Sequence, residues 1–111
     1  MGLLLALDVG NTHVTAGVLA GSDILTRWRL GTDRNKTEDE YGLFLYQLFT
    51  ISEVDPHHVD GVVIASVVPP LTSVLEKLSR RYFGRDPLMI RAGMDVGMKV
   101  CYDNPLEVGA D

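Results

Sequence analysis

Cysteine is all but missing from this chain: Cys101 stands alone among 111 residues. No disulfide can therefore close within it and no zinc site built from several thiolates can form, a pattern that suits a reducing compartment. Cys101 itself has no histidine partner placed by any motif and reads as a small buried residue. The two commonest nucleotide loops are also absent, since neither Gly-x-x-x-x-Gly-Lys-Ser/Thr nor Gly-x-Gly-x-x-Gly occurs. A nucleotide would have to be held by a different device. No apolar run approaches membrane-spanning length and the first residues lack the basic and apolar regions of a secretory leader, so the cytoplasm is the expected compartment. Basic residues are in deficit, 10 Lys and Arg against 15 Asp and Glu for a formal charge of −5. That balance disfavours nucleic acid and anionic membrane as partners but leaves small anions open, because a local group of donors can hold one inside an acidic protein. With 46% hydrophobic residues, the length suits one domain with a modest core.

The stretch that organises the rest is Leu3 to Thr15. Apolar residues Leu3 to Leu7 end in one carboxylate, Asp8, followed by the polar turn Gly10-Asn11-Thr12 and a second apolar alternation from Val14. This is the pattern of a buried first strand that carries an acid to its carboxyl end and folds back into an antiparallel neighbour. Gly10 allows close backbone approach, and the Asn11 amide and Thr12 hydroxyl can bond to phosphate oxygens. The same residues also read as an ordinary hairpin turn with Asp8 bonding the turn's own amides. Spacing alone leaves both readings open.

Further along, Val14, Ala16 and Val18 run to a two-residue loop, Gly21-Ser22, and a third strand spans Asp23 to Leu30. Thr37-Glu38-Asp39-Glu40 is a capping box that predicts a helix with Tyr41, Phe44, Leu45, Leu48 and Phe49 on its buried face. Residues 54–60 read as a loop, whose adjacent His57 and His58 lack a third ligand and read as surface residues. The unalternating run Gly61 to Val68 predicts a strand buried on both faces. Pro69-Pro70 stops it, with Pro70 opening a helix that buries Leu71, Val74, Leu75, Leu78 and Tyr82 and ends at Gly84. Lys77, Arg80 and Arg81 read as surface charges. A short strand at 87–90, a loop at 92–97 and an extended piece at 100–102 follow. The expected class is α/β: a mixed sheet of three antiparallel strands, then parallel strands, with flanking helices, the ribonuclease-H-like arrangement in which the first strand is central.

Joined to later blocks, the opening motif resembles the N-terminal half of the type III pantothenate kinases, within the actin, sugar-kinase and heat-shock ATPase superfamily. The blocks are Asp8-Val9-Gly10-Asn11-Thr12, Trp28-Arg29 with Thr32-Asp33-Arg34, Thr37 to Gly42, Ser66 to Leu71, and Tyr102-Asp103-Asn104-Pro105 with Glu107 to Asp111. The resemblance implies ATP-dependent phosphorylation of the pantothenate hydroxyl, the opening step of coenzyme A synthesis. It further implies that Asp8, Val9, Gly10, Asn11, Thr12, His13, Val14 and Thr15 form the ATP phosphate loop, with Asp8 orienting a water on Mg2+. Tyr102, Gly109 and Ala110 would then contact pantothenate, and Asp111 would be the proton acceptor. A monovalent cation, K+ or NH4+, and a homodimer of the full-length protein are implied as well. The family's Gly-x-Asp-Arg is cut after Asp111, so residues 1–111 are expected to be one lobe of a bilobal kinase, inactive without the second.

Two rivals stand beside this. A ribonuclease-H-type nuclease needs several carboxylates for two metal ions, yet Ser66 occupies the position where a second acid would be expected. A noncatalytic ATP-binding regulatory module of the same superfamily would share the loop but not turnover.

Overall fold

The computed structural model describes residues 2–90. They comprise strands β1 (Leu3–Val9), β2 (His13–Ala20), β3 (Asp23–Gly31), β4 (Val59–Ser66) and β5 (Leu88–Ile90), with helices α1 (Glu38–Ile51) and α2 (Pro69–Phe83). The strands form one sheet in the order β3-β2-β1-β4-β5. β1 pairs antiparallel with β2 and parallel with β4, β2 pairs antiparallel with β3, and β4 parallel with β5. The first strand is central, as the ribonuclease-H-like arrangement requires, and its apolar run is buried as expected.

Side chains alternate across the sheet. Leu3, Leu5, Leu7 and Val9 join Val14, Ala16, Val18, Val62 and Ile64 in a core that also contains Tyr41, Leu45 and Phe49 from α1 and Leu71, Leu75, Leu78 and Phe83 from α2. Both helices therefore cover the same face. The opposite face carries a smaller apolar group, Ala6, Leu19 and Ala65. It also carries Asp8, which alternates with Leu7 and Val9 and lies opposite Thr15 in the β1–β2 register.

α1 starts where the capping box predicted. The Thr37 hydroxyl accepts from the Glu40 amide at 3.3 Å and the Glu40 carboxylate accepts from the Thr37 amide at 2.9 Å. Such a cap contributes about 1 kcal/mol. Its buried face differs from the expected one: Phe44 is 39% exposed, with the Lys36 ammonium 5.3 Å from its ring centroid, and Leu48 is half-buried. The face has rotated toward Gly42, which is buried because α2 lies against it. A Cβ at Gly42 would meet the Tyr82 ring at 2.7 Å.

The strand expected over 61–68 runs instead over Val59–Ser66. At its start, Pro56–His58 form a 3-10 turn whose cap is Asp55. His57 and His58 are exposed beside that carboxylate, with ring nitrogens 3.0 and 3.7 Å away. The His57 amide and ring hold the Asp55 carboxyl below its usual range. At the far end, Ser66 Oγ accepts the Val68 amide at 3.0 Å, which turns the chain out of the sheet, and α2 opens at Pro69 rather than Pro70. In α2, Ser79 and Phe83 are buried where Val74 and Tyr82 are only half-buried. Gly84, at φ 66°, ends the helix, and Arg80 and Arg81 pair with Asp86 and Asp39 at the surface. The expectations for 92–97 and 100–102 lie outside the described residues.

Candidate functional site

The turn between β1 and β2 sits at the carboxyl end of the central strand, the end at which ligands bind in sheets of this kind. It is closed by the Gly10 amide donating to the His13 carbonyl at 2.9 Å. With that amide engaged inside the turn, the turn's own donors for an anion are those of Asn11 and Thr12, both exposed.

The segment after β3 holds the turn from behind. The Thr32 hydroxyl donates to the Gly10 carbonyl at 2.7 Å and the Thr32 amide to the Thr12 carbonyl at 2.9 Å. Arg34 donates to Asn11 Oδ1 at 3.2 Å. A guanidinium can only donate, so the atom facing it is the carboxamide oxygen, and the amide nitrogen of Asn11 is turned away from Arg34. The segment is anchored in turn by buried Tyr41, whose hydroxyl accepts from the Asp33 amide at 2.9 Å and donates to the Gly31 carbonyl at 3.2 Å. On the other side the Val67 amide donates to the Val9 carbonyl at 3.1 Å, which brings the β4–α2 connection against the same turn.

These elements enclose a cleft of about 480 Å³ lined by Gly10, Asn11, Thr12, His13, Thr15, Arg29 and Val67. Asp8 is 8% exposed on the face of the sheet that bears Thr15. Val9 and Val14 are each 1% exposed and belong to the helix-facing core, so only their backbone is available to a ligand. Besides Asp8, the seven residues from Val9 to Thr15 take three places in this arrangement. Gly10, Asn11 and Thr12 form the turn, His13 and Thr15 the floor, and Val9 and Val14 the buried supports.

Tyr102, Gly109, Ala110 and Asp111 lie outside the described residues. Among the described residues no three His, Cys, Asp or Glu side chains converge as a metal site.

Thr32 and Arg34 behind the turn, and Arg29 and Val67 in the cleft wall, carry no role that the sequence by itself assigns. The Trp28-Arg29 and Thr32-Asp33-Arg34 blocks mark their positions without saying which way the side chains face.

The family model for type III pantothenate kinase matches residues 4–111. The type III pantothenate kinase of Myxococcus xanthus (strain DK1622) is 52% identical over 109 residues, covering 98% of this chain and 43% of that protein. This chain therefore spans less than half the length of that relative. Among solved structures, the ROK hexokinase from Thermus thermophilus superposes with a TM-score of 0.63 at 14% identity, over 87% of this chain and 36% of that one. A Bacteroides thetaiotaomicron protein with an actin-like ATPase fold superposes with a TM-score of 0.57 at 6% identity, over 80% and 32%. At such identities these two likenesses speak for the fold alone, that of the actin-like ATPases. The family match and the close relative speak for more, and by them the chain belongs to the type III pantothenate kinases.

Proposed function

We propose that this chain supplies the phosphate-binding lobe of an enzyme that transfers the terminal phosphoryl group of ATP to the hydroxyl of pantothenate, opening coenzyme A synthesis in the cytoplasm. The observation that carries the reading is the turn Gly10-Asn11-Thr12, fixed from behind by Thr32 and Arg34 and facing a polar cleft at the end of the central strand. Phosphoryl transfer asks a protein chiefly to align the attacking oxygen and to neutralise charge on the phosphate oxygens. Asn11 and Thr12 provide donors for those oxygens, and Thr15 a hydroxyl on the floor. Asp8 would hold a water of the magnesium ion, which supplies charge neutralisation when bound with ATP.

On the acceptor side Asp111 takes the proton of the pantothenate hydroxyl, an effect of about 100- to 10,000-fold on rate. Tyr102, Gly109 and Ala110 contact that substrate. Residues 1–111 act as the N-terminal ribonuclease-H-like lobe, and a second lobe closes over the nucleotide, completes the site for a monovalent cation, K+ or NH4+, and supports a homodimer. The lobe alone is inactive.

The test is steady-state kinetics on the complete enzyme with Asp111→Asn. A fall in kcat of roughly 100-fold or more with ATP binding retained supports the assignment. Unchanged turnover removes Asp111 as the base, and ATP binding without any pantothenate phosphorylation by the parent enzyme favours a noncatalytic ATP-binding module.

A further inference from the structure

The turn that faces the cleft offers only neutral donors. In loops of the Gly-x-x-x-x-Gly-Lys type a lysine within the loop meets the charge of the terminal phosphates; here no lysine or arginine lies between Met1 and Arg27. Any cationic side chain that meets the phosphates beside this turn comes from another element of the fold. Arg29 of β3 is so placed. It lies opposite Thr15 in the β2–β3 register and lines the same cleft as Gly10, Asn11 and Thr12.

Its guanidinium is carried by the His13 ring. One terminal nitrogen of Arg29 lies 3.1 Å from Nδ1 and 3.2 Å from Nε2 of His13. One guanidinium nitrogen thus lies within hydrogen-bonding distance of both ring nitrogens. Contact through one nitrogen fixes where an arginine sits while its other nitrogens can still donate to an anion. Both side chains are exposed, and the Arg29 guanidinium is held by the His13 ring, whereas Arg80 and Arg81 are engaged by the carboxylates of Asp86 and Asp39.

We infer that Arg29, held by the His13 ring, is a phosphate-contacting residue of this site and bonds the outer phosphates of the nucleotide. The inference rests on the ATP-dependent reading above and adds to it the charged group that the turn lacks. A guanidinium matches phosphate oxygens in a fork geometry that a lysine does not reproduce, so the two cations are not interchangeable at such a position.

The experiment measures binding of ATP, ADP and adenosine to the complete enzyme by calorimetry at low and high salt, for the parent protein, Arg29→Gln and Arg29→Lys, with urea unfolding of each. Arg29→Gln is expected to weaken ATP roughly 10- to 100-fold, as loss of a charged hydrogen-bond donor does. Adenosine affinity and the urea midpoint stay at the parent values, and the salt dependence of ATP binding becomes shallower. Arg29→Lys recovers part of the loss. Equal weakening of ATP and adenosine, or none of either, overturns the inference. If the parent enzyme phosphorylates pantothenate and Arg29→Gln binds ATP as tightly as the parent, the inference falls and the proposed function stands. If ATP binding depends on Arg29 but pantothenate is not phosphorylated, the inference stands and the substrate assignment falls. A parent enzyme that binds no ATP overturns both.

Discussion

Two hairpin turns flank β2, and each begins with a glycine. At Gly21-Ser22 the glycine takes φ 62°, in the left-handed region, and a Cβ there would meet nothing within 4 Å. Gly21 is needed for the backbone and for nothing around it. At Gly10 the backbone is not left-handed, and a Cβ would meet only the His13 carbonyl, at 3.4 Å. Nothing among the described residues compels a glycine there. The first turn is instead bonded by Thr32 and Arg34 to a segment that Tyr41 anchors to the core, while the second turn is an exposed loop tip. One glycine answers to chain geometry. The other, on the proposed reading, answers to a ligand that must approach the main chain closely.

Substitutions in the complete enzyme can break that comparison. The largest effect is expected for Gly10→Val, which puts carbon where phosphate oxygens would lie. kcat/KM for ATP should fall on the order of 100-fold, as for a misplaced reacting group. Urea unfolding should shift the midpoint little, and a loss of stability matching the loss of activity would instead make Gly10 a folding residue. Thr32→Val comes next. It keeps the shape of the side chain and removes the hydroxyl bonded to Gly10, so the turn loses about 1 kcal/mol of support and ATP affinity about fivefold. An ATP titration checks this, and unchanged affinity would show that the Arg34 and backbone bonds suffice. Gly21→Ala has the smallest effect on catalysis, expected to be none, yet it costs about 1–2 kcal/mol of stability for the left-handed position. A change in KM for ATP in that variant would show that the two turns communicate through β2.

Much of this was legible in the sequence. The apolar run of β1, the Gly21-Ser22 turn, the capping box at Thr37 and the Pro69-Pro70 stop each depend on residues close in the chain, and each lies within a few residues of where the pattern put it. The expected helix face failed at Phe44 because burial there depends on where α2 presses, and Tyr82 presses on Gly42. Arg29 was hidden for a sharper reason. Counting back from the tight turn, Ala20 opposite Asp23 and Leu19 opposite Ile24, pairs Thr15 with Trp28 and sends Arg29 to the helix side. A bulge shifts the register after Leu19 so that Val18 meets Thr26 and Thr15 meets Arg29. A one-residue slip exchanges the two faces of a strand, and here it places Trp28 against Phe49 in the core and the guanidinium in the cleft.

By itself the sequence determined the order of elements, the central place of the first strand and the turn that follows its acid, because hydrophobic period, capping and turn chemistry act over a few residues. The tertiary structure decided what stands behind and beside that turn. Thr32 and Arg34 reach Gly10 and Asn11 across more than 20 residues of chain, and Arg29 reaches His13 across 16. Contacts at that range depend on sheet register and helix packing, which are set by how the whole core closes and not by any local run of residues.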